Sequence, residues 1–399
     1  MRRHLLVTND FPPKIGGIQN YLWELWRRLE PGLAAVYTTP HRGSAAFDAV
    51  QPFPIERAPE PWLGPWPWLV PRIRAEADRH GADLILLDPA LPLGVIGPAL
   101  GRPYGVILHG AEVAIPARLP GTRSIMARTL SRASLVVSAG HYALAEAERC
   151  VGRSLPSVVI PPGVDADRFA PLPPIDRAAA RSRHGVDADE ILVASVSRLV
   201  PRKGMDTLIR AVTEADRRLG PDGPRLRLVV GGTGRQEGDL HRLVGDIGAP
   251  ATLTGRLGDD EVAQLYGAAD IMAMLCRERW WGLEQEGFGI VFLEAAAAGT
   301  PQVAGRSGGA HEAVEDGVTG IVLDRPGDVG AAADALVDLA TDPERRSKLG
   351  EAARRRAVDA FDNGRLAAAL QAAIDGARLR RRPEPDRPGP ERPGPTGSP

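Results

Sequence analysis

Two carboxylates, Glu286 and Glu294, frame the stretch EGFGIVFLE, with seven residues and two glycines between them. The run GFGIVFLEAAAAGTP has a glycine-rich entry, strong helix formers and a Gly-Thr-Pro stop, which predicts a helix from near Phe288 to near Ala298. Glu286 then precedes the first turn, and Glu294 lies roughly 12 Å further along the axis at about 1.5 Å per residue. A glycosidase needs its paired carboxylates about 5 to 9.5 Å apart, so this spacing argues against one. It suits two separate sets of ligand hydroxyls, with the helix start at Phe288, Gly289 and Ile290 between them and open to a phosphate. Glu294, flanked by IVFL and AAAA, is expected to be semi-buried and to need hydrogen-bond donors. The plainer alternatives are a helix-end charge for Glu286 and a surface position for Glu294.

Two glycine-containing loops could serve the same ligand. Gly16 and Gly17 in FPPKIGG stand just before a helical stretch, where backbone N–H groups can approach a phosphate; a glycine pair also simply makes a tight turn. Arg198 and Lys203 in RLVPRKG are five residues apart and could hold a diphosphate and stabilise its charge as it leaves; a solvated surface loop is the other reading. His109 in ILHGAEV ends an apolar run, a position more often structural than chemical. The fingerprint-like VVGGTGRQEG has Glu237 where a third glycine belongs, and no GxxxxGK[ST] occurs, which disfavours an oxidoreductase and a P-loop NTPase.

The elements that must position these residues come in two similar series. HLLVTND, FPPKIGG and IQNYLWELWRRL read as strand, loop and helix, with Ile18, Leu22, Leu25, Trp26 and Leu29 at helical spacing. ILVASVS, RLVPRKG and MDTLIRAVTEADRRL repeat the pattern, with Leu208, Ile209, Val212, Ala215 and Leu219 on one face. Further apolar runs follow, LILLD, YGVIL and LVVSA in the first half and LRLVVGG, ATLTG, IMAML and GIVLD in the second. Such alternation predicts an α/β chain of two facing Rossmann-like domains with parallel sheets and a cleft between them. The proline-marked linker puts the boundary near Leu172, giving a first domain over 1–172 and a second over 173–378, whose last helix can pack back on the first. The Pro/Gly-rich segment 379–399 should be disordered.

Composition narrows the partners. With 399 residues, 43% hydrophobic and 25% charged, the chain is globular, and 49 basic against 50 acidic residues leave a net charge of -1 that speaks against a nucleic-acid partner. Cys150 and Cys276 lack metal-site spacing and no leader-like segment precedes them, so ordinary reduced thiols in a cytosolic chain are expected. LPLGVIGPALGRPYGVIL is too interrupted to span a bilayer, which leaves the chain soluble or peripheral.

Together, TNDFPPKIGGIQNYL, HGAEV, PPGVD, SRLVPRKG, EGFGIVFLEAAAAGTP and GRSGGAHEAV resemble the retaining glycosyltransferases of family four, which have the GT-B fold. The resemblance covers roughly residues 1 to 375 and is closest to actinobacterial mannosyltransferases that extend phosphatidylinositol mannosides with GDP-mannose. It implies that Glu294 binds the nucleotide ribose, Glu286 the donor sugar's hydroxyls, and Arg198 and Lys203 the diphosphate, with Gly17 approaching it from the other domain. His109 would lie beside the transferred sugar. It implies front-face attack with retention, neither metal nor cofactor, and a lipid-linked acceptor reached from the cytoplasmic face of the plasma membrane. Two departures touch the expected cleft: Ala111 replaces a histidine of HGHEV, and Trp280 and Trp281 replace smaller residues. Another sugar, a polyprenyl, polysaccharide or small-molecule acceptor, and a nucleotide-sugar-binding module without turnover are the competing readings.

A lipid acceptor requires contact with an anionic membrane surface, and two stretches could supply it. GTRSIMARTLSRAS predicts a short helix with Arg123, Arg128 and Arg132 among Ile125, Met126 and Leu130. PWLGPWPWL offers Trp62, Trp66 and Trp68 on a proline-stiffened segment. An ordinary surface helix and core-packed tryptophans are the alternatives.

Overall fold

A computed structural model describes residues 1–377 apart from Trp281 and Leu283. The segment 379–399, expected to be disordered, and Trp281 therefore lie outside the described residues. The first seven strands are β1 (His4–Thr8), β2 (Ala34–Thr38), β3 (Ile55–Arg57), β4 (Leu84–Asp88), β5 (Tyr104–Leu108), β6 (Leu135–Ser138) and β7 (Ser157–Val159). They form one sheet in the order β3-β2-β1-β4-β5-β6-β7. Six more follow: β8 (Ile191–Val196), β9 (Leu226–Gly231), β10 (Ala251–Gly255), β11 (Ile271–Met274), β12 (Gln302–Gly305) and β13 (Gly320–Leu323). These give a second sheet in the order β10-β9-β8-β11-β12-β13, and every pairing in both sheets is parallel.

Helices cover both faces, so the strands read as continuous apolar runs. In the first sheet Leu5, Val7, Ile85 and Leu87 enter one buried cluster, while the alternate residues Leu6, Leu84 and Leu86 enter another on the opposite face. Strand order reverses between β1 and β4 and between β8 and β11, and ligands of such sheets bind beyond the strand ends at these points. β2, β3, β7 and β12 were not anticipated; β3 and β7 have three residues each, too few for a period to show.

The core of the second sheet takes in Val164 and Phe169, with Leu172 against it. The chain then crosses back. In the helix Asn363–Gly376, Leu366, Leu370 and Ile374 pack in the same cluster as Leu6 and Trp26, and Asp375 accepts a 2.6 Å hydrogen bond from the amide of Arg2. The two crossings touch where Val164 N–H donates to the Phe361 carbonyl at 2.9 Å.

Two local expectations change. The helix bearing Glu294 spans Ile290–Ala297, starting two residues late because Gly289 adopts φ 83, left-handed backbone that ends helical geometry there. In the helix Pro120–Arg132, Met126 and Leu130 are fully buried in the first core, so the expected basic amphipathic surface shrinks to Arg123, Arg128, Arg132 and a 47% exposed Ile125. Met126 and Leu130 are four residues apart and share the core-facing side. The tryptophans behave oppositely: Trp62 and Trp68 are 45% and 54% exposed, with Trp66 edge-on to the first and stacked on the second. Leu63 anchors their loop, its N–H and carbonyl both bound to the Asn9 side chain at 2.7 and 2.9 Å. Among the described residues no helix is long and apolar enough to cross a membrane.

Candidate active site

Strand register builds the first half of the site. Parallel pairing sets Thr8 opposite Asp88, and Thr8 Oγ1 donates to Asp88 Oδ2 at 2.6 Å. β5 lies beside β4, so His109, one residue past its end, brings Nε2 to 2.7 Å from Asp88 Oδ1. Tyr21 stands edge-on to the imidazole with its hydroxyl donating to the Ile160 carbonyl at 2.8 Å. Burial pulls the His109 pKa down, but the charge and hydrogen bond of Asp88, with Glu112 and Asp10 beyond, overcome it and raise it to about 9. The imidazole is thus cationic at neutral pH. Burial and the neighbouring Asp88 raise the Asp10 carboxyl, which accepts from Gln19 Nε2 at 2.6 Å. Lys14 braces this loop by donating to the Asn9 carbonyl and Thr39 Oγ1, both at 2.8 Å.

The His109–Asp88 pair has a pH signature. A histidine whose pKa rises from 6.5 to about 9 on folding contributes stability that is complete below 6.5 and is lost as pH climbs through 9. Thermal denaturation at pH 6.5 and 9.5 should therefore show a drop that Asp88→Asn flattens, at a cost of about 1–3 kcal/mol at the lower pH. An unchanged drop in that variant would assign it to other groups.

The second half assembles around Glu286. Lys203, in the turn after β8, brings Nζ to 2.8 Å from Glu286 Oε2, and Arg202 Nε lies 3.5 Å from the same oxygen. Lys203 is buried, while Glu286 is partly covered with its N–H 3.3 Å from Ser307 Oγ. Burial pushes the Glu286 carboxyl up, but Lys203 and Arg202 outweigh it and hold it below the usual range. Arg198 is exposed, and among the described residues no carboxylate pairs with its guanidinium. Glu294 is semi-buried as expected, and its carboxylate has no hydrogen bond or ion pair among the described residues. Burial, reinforced by Asp259 and opposed by Arg168, raises its pKa to about 7. A carboxylate in this condition is ready for donors from outside the protein.

The halves meet backbone to backbone. A β-carbon on Gly110 would lie 3.4 Å from the α-carbon of Gly287, and one on Gly287 would lie 3.0 Å from the His109 carbonyl oxygen. A β-carbon on Gly17, the first residue of the helix after Gly16, would meet the Ile290 side chain at 3.5 Å. The fold thus brings His109 to Gly287, Gly17 to Ile290 and Lys203 to Glu286, and among the described residues leaves the side chains of Arg198 and Glu294 unpaired. Phe288 is buried against Phe361, ring centroids 5.9 Å apart, behind the loop. Sequence reasoning missed Asp88, whose signal was the carboxylate closing LILLD, and Arg202, adjacent to a lysine already singled out. Cys150 and Cys276 are buried and free.

Residues 15–168 match the family description "Glycosyltransferase Family 4" and residues 176–356 match "Glycosyl transferases group 1". A Mycolicibacterium smegmatis protein named GDP-mannose-dependent alpha-(1-6)-phosphatidylinositol monomannoside mannosyltransferase is 38% identical over 387 residues, 94% of this chain and 98% of that one. A Corynebacterium glutamicum protein, named as the mannosyltransferase for the monoacylated form, is 34% identical over 88% of this chain and 92% of its own. The structure of Anabaena HepE, solved with UDP, superposes with a TM-score of 0.79 at 23% identity, covering 94% of this chain and all of HepE, and so shares the two-sheet GT-B fold. With full-length relatives at this identity and family matches over both halves, the chain belongs to the family 4 glycosyltransferases.

Proposed function

We propose that this chain transfers mannose from GDP-mannose to a phosphatidylinositol-mannoside-type glycolipid, with retention at the anomeric carbon. The observation that carries the reading is the near full-length similarity to the mycobacterial enzyme named for that reaction. The geometry supports it: the segments carrying His109–Asp88 and Lys203–Glu286 approach closely at Gly110 and Gly287, and among the described residues the Glu294 carboxylate has no partner. In this reading Glu294 accepts from the ribose hydroxyls, and Glu286, held by Lys203, from the sugar's. Arg198 and Lys203 take the diphosphate near Gly16, Gly17 and the helix start at Gly289 and Ile290. Nε2 of His109 is engaged by Asp88, and in this reading Nδ1 is the atom left for the sugar. The bond from the anomeric carbon to the diphosphate oxygen breaks, the bond to the acceptor hydroxyl oxygen forms on the same face, and the acceptor proton passes to the departing phosphate. Fixed cations stabilise the charge that builds up on that phosphate.

The test is consumption of radiolabelled GDP-mannose with phosphatidylinositol monomannoside in detergent micelles, the product's anomeric configuration being read by NMR. Transfer only from another nucleotide sugar would replace the donor, and donor use without transfer to this lipid would replace the acceptor.

A lipid acceptor places the enzyme at an anionic membrane surface, on the cytoplasmic side where GDP-mannose is available. The exposed Trp62 and Trp68 support this reading, with Arg123, Arg128 and Arg132 as the cationic complement. Sedimentation with phosphatidylinositol-containing vesicles should bind the chain at low salt and release it at high salt. Replacing Trp62 and Trp68 with alanine should lower the partition coefficient by about tenfold or more. If the chain ignores anionic vesicles at low salt, the membrane reading fails and a water-soluble acceptor becomes the leading alternative.

A further inference from the structure

The GGAHE segment plays no part in the chemistry above, yet it makes a direct polar contact between the two halves of the chain. The helix His141–Val151 begins after Gly140 with no side-chain cap of its own, which leaves its first N–H groups to find acceptors elsewhere. Glu312, from the second half of the chain, supplies both. His141 N–H donates to Oε2 at 2.7 Å and Tyr142 N–H to Oε1 at 2.6 Å, so a carboxylate of one unit caps a helix of the other. Glu312 is itself held rigidly. Arg356 donates to its carbonyl at 2.9 Å and to that of Ala313 at 2.8 Å, and its own N–H reaches the Gly309 carbonyl at 3.0 Å. Gly309 N–H in turn donates to the Glu286 carbonyl at 3.0 Å. The capping contact is thus coupled through three residues of backbone to the loop carrying Glu286.

We propose that Glu312 is a positioning residue, a latch that sets the registration of the two units so that Glu286 and Gly287 meet His109 in the reacting arrangement. The inference rests on the transfer reaction proposed above only for its kinetic arm. Two substitutions approach the latch from opposite sides. Glu312→Ala removes the acceptor. Gly140→Ala leaves the Glu286 loop untouched, and because Gly140 is extended, at φ -173, alanine fits its backbone; the added methyl would lie 3.0–3.3 Å from the Glu312 carboxylate and press it outward, stretching both capping hydrogen bonds. Glu312→Gln keeps one acceptor oxygen and should fall between parent and Glu312→Ala.

The full chain and these variants are compared by small-angle X-ray scattering, GDP titration and steady-state kinetics. Both alanine variants should show a larger radius of gyration than the parent, GDP affinity within about twofold, and kcat lower by roughly ten- to a hundredfold, the cost of displaced reacting groups. Parent-like scattering in both variants overturns the latch, whatever the activity. Loss of GDP affinity in step with kcat also overturns it, because the damage would then lie in the Glu286 loop. Should the chain prove not to transfer mannose at all, the scattering comparison still decides the latch by itself.

Discussion

Lys203→Ala is expected to lower kcat by about 10²- to 10³-fold, the range for removing one preorganised charge stabiliser from a developing oxyanion. The ammonium is buried and already 2.8 Å from Glu286, so it needs little reorganisation to serve a leaving diphosphate beside that carboxylate. The same substitution strips Glu286 of its nearest cation. Arg202 remains 3.5 Å away, so the loss in stability should stay below the about 3–5 kcal/mol seen when a buried ion loses its partner outright. Steady-state kinetics with GDP-mannose, beside a thermal melt, separate the two effects. A folded variant that raises only the donor KM would make Lys203 a binding group with no role in departure of the phosphate.

Glu294→Ala is expected to weaken GDP by about 2–4 kcal/mol, or roughly 30- to 900-fold, if the carboxylate takes both ribose hydroxyls. Its pKa supplies a sharper test. A carboxyl raised from 4.5 to about 7 holds a proton in the folded chain that the unfolded chain releases, so its contribution to stability is complete below 4.5 and is lost as pH rises through 7. Hydroxyl donors from the ribose favour the ionised form. GDP affinity should then rise by about tenfold from pH 6 to pH 8, and Glu294→Gln should abolish that slope. Calorimetric titration at the two pH values reads both effects. A slope that survives in the glutamine variant would move the titrating group elsewhere.

The two-sheet architecture was legible because its central strands are apolar on both faces. All five residues of β1, β4 and β5 are buried, and runs such as LILLD announce themselves. β12 did not, since QVAG opens on a buried glutamine and closes on a glycine. At the site, residue types were readable and partnerships were not. Glu286 and Lys203 are more than eighty positions apart and meet because β8 and β11 are neighbours, and Asp88 reaches His109 because β4 adjoins β5. Strand order decides such pairs, and no local pattern encodes it. The helix Pro120–Arg132 shows the converse: its arginines and apolar residues were visible, but which side the core would claim was not.

The return of the helix Asn363–Gly376 to the first sheet carries a consequence for biosynthesis. The stretch from Val164 to Phe361 holds the second core within one continuous length of chain, so it can close as soon as it leaves the ribosome. The first unit emerges earlier but stays unfinished, with part of the surface around Leu6 and Trp26 uncovered until Leu366, Leu370 and Ile374 arrive. The N-terminal half is therefore the last to be completed, although it is the first to emerge, and it offers chaperones an apolar face until the final helix arrives.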